Sequence, residues 1–318
     1  MVAAATAGSA AAATTYCCWL LLVLLLLLLL CCLLLLLLSL TVTPSYCVFL
    51  QLTGFFPMLA AVKEGDTKKL AELIRQDLAF NVNKVLDGFG RTLLHHACAE
   101  SISSPVVSLL LAHPDINVNV KNKSGEPPLL LGCRHGHTSC VREMLKDSRV
   151  KLSETRSDGY TPLLWTVYGG HLDIVKSWIS SGREMDLGKP GEWNSDAIEA
   201  AKNYGKTAVA TLLERFKSDA AQTKHAMRVE LGWYDEAAAE MFALVVFVSD
   251  GLLQLKDTTT FTPAARYLNI ASQLPLELQM VLCFRLVGSV KEIIPGKNSE
   301  VAFKSLAESL VWYSIFTG

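Results

Sequence analysis

An all-α fold is predicted for this chain, a solenoid of short helix–turn–helix units followed by a C-terminal α-helical domain. Three observations carry it. One pattern recurs from Phe56 to Ala221 at spacings of 36, 35, 34 and 35 residues, with anchors at Phe56, Thr92, Pro127, Thr161 and Asp196. Nine residues after four of these anchors stands a glycine, at Gly65, Gly136, Gly170 and Gly205. After that glycine the apolar residues fall at helical spacing. A fixed period of this length, with a turn between two short apolar helices, is the signature of stacked helical repeats.

Taken in order, the chain opens with residues 1–16, Ala-rich and uncharged, and no Lys, Arg, Asp, Glu or His precedes Lys63. Residues 17–40 are Leu-rich and of low complexity: Cys17 to Leu38 is a run of 22 residues drawn only from Cys, Trp, Leu and Val. About 20 apolar residues span a hydrocarbon core of about 30 Å, so this reads as a transmembrane helix or an uncleaved signal anchor. A cleaved signal peptide fits less well, because its apolar core is about 7–15 residues long and follows a basic segment. If the helix is real, Lys63, Lys68, Lys69 and Arg75 follow it, and the repeats belong in the cytoplasm of a single-pass membrane protein. The competing reading is a gene-model artefact: Leu broken by Cys, then Ser, Thr and Pro, is what a pyrimidine-rich intron encodes when translated. The protein is then cytoplasmic.

Residues 56–221 hold the repeats. The clearest copy runs Asp158-Gly159-Tyr160-Thr161-Pro162-Leu163-Leu164, then Gly169-Gly170-His171-Leu172-Asp173-Ile174-Val175-Lys176. A Thr before the first helical residue caps an orphan N–H, and Pro after it loses nothing, since its N–H would be unpaired there. That fixes the start of the first helix, helix A. Leu94, Leu129, Leu163 and Ile198, two residues after their anchors, are expected to face the neighbouring copy. Helix B reads Leu70, Leu73, Ile74 in copy one, Val106, Leu109, Leu110 in copy two and Ile174, Val175, Trp178 in copy four, again at helical spacing. Copy two has Ser101 in place of the turn glycine. Copy five places Lys202 where an internal copy would bury a small residue, as suits a terminal unit with nothing stacked on it.

The period and the Thr-Pro-Leu opening resemble ankyrin repeats, in about five degenerate copies. Of the family's Thr-Pro-Leu-His only one copy keeps the histidine, His95; the others carry Leu130, Leu164 and Glu199. The resemblance implies a protein-protein interaction module or scaffold, without catalysis, that binds other proteins on a concave surface made by the hairpin tips and helix A. Carried over position by position, the family's variable contact sites fall here on Phe89, Arg91 and Glu100; on Lys123, Glu126, Arg134 and His135; on Asp158, Tyr160 and Tyr168; and on Glu192, Trp193, Asn203 and Tyr204. Five of these are aromatic, although only 8% of the chain is, and aromatics and Arg dominate interface hot spots.

Residues 223–318 are expected to form a C-terminal helical domain, either a separate unit or an extension packed on the solenoid's end. Lys217 to Arg228 reads as a charged, Ala-rich connection. Trp233 to Leu255 carries Met241, Leu244, Val245, Val248, Leu252 and Leu255 as a helical stripe, with Asp235 and Glu236 in the first turn, where acids are favoured. Thr262 and Pro263 open a helix through Ile270, and Pro275 opens another through Leu286. Ile294 to Ser299 reads as a turn and Glu300 to Leu310 as the last helix. Leu274-Pro275-Leu276-Glu277-Leu278 resembles the opening of an F-box, which gives a second functional reading, a ubiquitin-ligase substrate adaptor. The same residues also make a good helix start.

With 29 basic and 30 acidic residues the net charge is −1, and no basic footprint for nucleic acid is present. Cys98, Cys133, Cys140 and Cys283 are scattered through helical positions, as reduced core thiols are. Pro295-Gly296-Lys297-Asn298-Ser299 lacks the spacing of a phosphate loop. His95-His96 and His135-Gly136-His137 lack the Cys pair or second helix motif of a zinc site. Neither the residues nor the resemblance implies a cofactor, a metal or an enzyme.

Overall fold

A computed structural model describes residues 57–77, 80–100, 104–188, 196–254 and 262–317. Among them there are helices and no strands. The Leu-rich segment 17–40, and with it the membrane expectation, lies outside the described residues. No described helix is long and apolar enough to cross a membrane.

Five pairs of helices follow the repeat. The A helices are α1 (57–64), α3 (Leu93–Ala99), α5 (Pro128–His135), α7 (Pro162–Gly169) and α9 (Ala197–Asn203). The B helices are α2 (Thr67–Gln76), α4 (Ser104–Leu111), α6 (Thr138–Lys146), α8 (Leu172–Ser181) and α10 (Thr207–Ser218). From copy two to copy five A helices stack on A helices, and B helices stack on one another from copy one to copy five. The starts are as the sequence dictates: Thr161 Oγ1 accepts from Leu164 N–H at 3.2 Å, and Asp196 Oδ1 accepts from Ile198 and Glu199 N–H at 2.8 and 3.2 Å. Leu94, Leu129, Leu163 and Ile198 are all buried. Gly136 and Gly170 end helices α5 and α7 at φ 77° and 72°. The left-handed turn suits glycine, and a Cβ on Gly136 would also fall 2.5 Å from the His171 ring.

Polar side chains stitch the copies together. Asn119 Nδ2 donates to Arg149 O at 2.8 Å while its Oδ1 accepts from Lys151 N–H at 2.8 Å. Asn83 does the same one copy earlier, to Asp115 O and from Asn117 N–H, both at 2.7 Å. Arg183 spans the end of α6, donating to the carbonyls of Asp147 at 2.8 Å and Val150 at 2.6 Å. His95 is buried and neutral: its Nδ1 accepts from Thr92 N–H at 3.1 Å and its Nε2 donates to Glu126 O at 3.1 Å. Burial is the main cause that holds its pKa down to about 4.

The C-terminal helices differ from expectation in place and in extent. The stretch from Lys217 is not a connection. Asp219 accepts from Gln222 N–H at 2.9 Å and caps helix α11 (Ala220–Glu230), which buries Thr223 and Met227 one turn apart and contacts α8 and α10. Then follow α12 (Trp233–Ser249), α13 (Pro263–Ala271), α14 (Leu276–Leu286) and α15 (Gly296–Thr317); α13 and α14 pack on α12, which is ion-paired to α6, and α15 packs on α12 and touches α2 and α4. They therefore flank the solenoid instead of sitting on its end. Ion pairs seal this flank: Arg142–Glu236 at 2.7 Å, Lys146–Glu240 at 3.1 Å and Lys176–Glu230 at 2.6 Å.

Helix α12 stops at Ser249, where Gly251 turns at φ 71°. Its buried face is Ala238, Ala239, Phe242, Ala243 and Val245, whereas Met241, Leu244 and Val248 of the expected stripe are half-buried and Leu252 is exposed. Small residues win the inner face because α12 is the hub that α13, α14 and α15 all contact. The expected turn at 294–299 is shorter, since Pro295 O accepts from Asn298 and Ser299 N–H and α15 starts at Gly296.

Candidate functional site

The hairpin tips that precede α3, α5 and α7 close with one repeated bond, Leu86 N–H to Arg91 O at 2.7 Å, Asn122 N–H to Glu126 O at 3.0 Å and Arg156 N–H to Tyr160 O at 3.0 Å. The tips also join each other, through Lys123 N–H to Phe89 O at 2.9 Å and Ser157 Oγ to Ser124 O at 3.0 Å. A row of tips and A helices is thereby held in a fixed order, and the side chains at its edge are positioned by it.

On the fourth A helix of the row, α7, is Trp165. Tyr160 lies 5.6 Å from it and Tyr168 6.1 Å, centroid to centroid; Tyr168 in turn meets Tyr204 of copy five edge-on at 4.6 Å. The four rings form one ladder across two copies. Burial, then the neighbouring Tyr160 and Tyr204, push the Tyr168 hydroxyl up to about 12. Two guanidiniums lie by Trp165, that of Arg134 at 5.8 Å and that of Arg156 at 5.9 Å. Between them is Glu126, which pairs with Arg134 and lies 3.6 Å from Arg156. Its other oxygen accepts from Asn122 Nδ2 at 2.9 Å.

Of the sequence-derived positions, Tyr160, Tyr168 and Tyr204 come together in this ladder, and Arg134 borders it. His135 is exposed beside Arg134 and stacks on His137 at 5.8 Å; burial, then Arg134, His137 and Arg91, lower its pKa. Phe89, 66% exposed, lies under the Arg91 guanidinium at 5.3 Å, with Lys123 exposed on the adjacent tip. Glu100 is half-buried and 3.6 Å from Lys63. Asp158 and Asn203 are exposed, the former holding its own tip by accepting from Tyr160 N–H at 3.3 Å. Glu192 and Trp193 lie outside the described residues. Glu126 is the correction: it is 3% exposed, part of the scaffold and not of the contact surface, because two arginines and an amide enclose its carboxylate.

Sequence reasoning passed over Trp165 and Arg156. The signal for Trp165 was available: Trp165 and Tyr168 are three apart on one helix, so they share a face. The histidine pairs act as scaffold. His137 Nε2 donates to Ala99 O at 3.1 Å, and His96 Nε2 lies 3.4 Å from Asp87 Oδ2, an ion-pair distance without hydrogen-bond geometry. The described cysteines are buried thiols, and burial pushes Cys133 up to about 12.

Comparison with known proteins matches the family described as ankyrin repeats (3 copies) over residues 58–153 and 103–189. The chain is 31% identical over 150 residues to the human SMC5-SMC6 complex localization factor protein 1, covering 45% of this chain and 14% of that protein. It is 25% identical over 157 residues to alpha-latrocrustotoxin-Lt1a of Latrodectus tredecimguttatus, covering 49% of this chain and 11% of the toxin. It is 29% identical over 97 residues to the E3 ubiquitin-protein ligase KEG of Arabidopsis thaliana, covering 30% of this chain and 6% of that protein. The chain thus spans about a seventh or less of the length of each.

Proposed function

From a chain whose residues 58–189 are ankyrin repeats, with further helices C-terminal to them, we propose a non-catalytic scaffold that binds another protein on the row of hairpin tips and A helices. The observation that carries this reading is the ring ladder of Tyr160, Trp165, Tyr168 and Tyr204, which ends in a tyrosine that is 59% exposed. Tyrosine and tryptophan bring large contact area at small entropic cost. The human relative is named as a localization factor for the SMC5-SMC6 complex. The reading contains no chemical step. It places the repeats in the cytoplasm, supported by the buried thiols and by the basic residues that begin only at Lys63.

A photo-crosslinking amino acid at position 204 tests this. Crosslinks to one protein at 204, absent when the same group replaces exposed Glu72 on a B helix, are expected; equal crosslinking at both refutes the surface assignment. A second reading, the ubiquitin-ligase adaptor, is favoured by the exposure of Leu276 and Leu278 at 55% and 50%. Capture of a ligase core by the full chain, lost in Leu276→Glu with Leu278→Glu, would support it.

A further inference from the structure

We propose that the partner segment seated on this row is acidic: an extended peptide whose carboxylates meet Arg91 and Lys123 and whose apolar or aromatic side chain lies along Tyr168 and Tyr204. The inference rests on the concave-surface reading and adds the chemistry of the partner to it.

The argument is one of charge already spent. Aromatic faces attract cations, and an aromatic row would suit a basic partner if those faces were open. Here the faces of two of the rings, Trp165 and Phe89, are taken by the chain's own arginines. Trp165 has Arg134 and Arg156 within 5.8 and 5.9 Å, and Phe89 has Arg91 at 5.3 Å. The carboxylate at the centre, Glu126, is 3% exposed and committed to Arg134, Arg156 and Asn122. Asp158 and Glu100 have Arg156 and Lys63 at 3.5 and 3.6 Å, and Asp87, on the tip of Arg91, accepts from Phe89 and Arg91 N–H at 3.0 and 2.9 Å. Among the described residues, neither Arg91 nor Lys123 has a carboxylate at ion-pair distance from its side chain. Arg91 and Lys123 sit on adjacent tips joined by the Lys123 N–H to Phe89 O bond, so one short segment can reach both. Around Arg91 and Lys123 the described acids are therefore held by the chain's own donors while Lys123 is exposed, an arrangement that steers and selects an acidic chain.

The test uses the full chain in nonionic detergent and three fluorescein-labelled peptides, each with three repeats of Glu-Glu-Tyr-Glu or with Gln or Lys in place of every Glu. Fluorescence anisotropy is expected to show the Glu peptide binding at least about tenfold more tightly than the Gln peptide, weakening between about 50 and about 300 mM salt. The Lys peptide should not bind. Lys123→Glu alone, at an exposed position, should weaken the Glu peptide about tenfold, and Arg91→Glu with Lys123→Glu further, with circular dichroism unchanged. The inference is overturned if the Lys peptide binds as tightly as the Glu peptide, if no peptide binds, or if the folded Lys123→Glu variant binds the Glu peptide like wild type. Crosslinking at position 204 does not depend on the partner's charge, so the concave-surface reading can survive that failure.

Discussion

Replacing Glu126 by Gln isolates the electrostatic centre of the row. The side chain is 4% exposed and its partner Arg134 25%, so the pair is neither fully dry nor at the free surface. A broken buried ion pair costs about 3–5 kcal/mol, and an exposed one about 0–1 kcal/mol. Gln keeps an oxygen that can accept from Asn122 Nδ2, so the loss is the charge seen by Arg134 and, at 3.6 Å, by Arg156. The expected destabilisation is about 2–3 kcal/mol, placed between the two limits by the partial exposure of both arginines. Urea unfolding followed by circular dichroism measures it. A cycle with Arg134→Met assigns it: the coupling should be about 1–3 kcal/mol. A coupling below about 0.5 kcal/mol would show that Glu126 is held by its amide and backbone bonds alone, and the account of charge consumed inside the row would lose its centre.

Leu163→Ala, at a position 2% exposed on an A helix, should cost about 2–5 kcal/mol in the same assay; a change under about 0.5 kcal/mol would contradict the assigned repeat alignment. Asn119→Ala removes two 2.8 Å bonds between copies and is expected to cost about 1–3 kcal/mol. His95 has a folded pKa near 4 against 6.5, so the unfolded chain binds its proton first. Stability should fall as the pH drops below about 6.5 and stop falling through this group near 4, a loss on the order of 3 kcal/mol. His95→Gln should flatten that slope in melts taken between pH 7 and pH 4.5. The flank of C-terminal helices is sealed by ion pairs that are partly exposed, so hydrogen exchange in α11 and α12 should quicken with salt, and Lys176→Glu, opposite Glu230, should have the same effect at low salt.

Local signals located most of the repeat. Thr161, Pro162 and the turn glycines act within a few residues of themselves, so their meaning survives in a linear reading. Lys202 was legible for the same reason, and it stands exposed, paired with Glu214 at 2.5 Å. What escaped depends on distant partners. The segment from Lys217 is polar by composition, and its helix is decided by Thr223 and Met227 packing on α8 and α10. Glu126 reads as a variable surface position until Arg134 and Arg156, eight and thirty residues on, fold over it. In α12 the large aliphatics suggested the inner face, and of them Val245 is buried, but the crowding of three helices gave most of that face to alanines.

The return of α15 to α2 and α4 has a consequence for how the molecule assembles. Stacked repeats ordinarily fold by adding each unit to its neighbour, with no contact reaching far along the chain. Here α15 closes against the first B helix, roughly two hundred residues upstream, and closing so long a loop is slow. On a ribosome the early copies can stack as they emerge, but their side facing α15 stays uncovered until α15 has been made. A chain that stops before Gly296 leaves α2 and α4 permanently in that unfinished condition. Termination before α15 would thus be felt in the first two repeats, far from the missing residues.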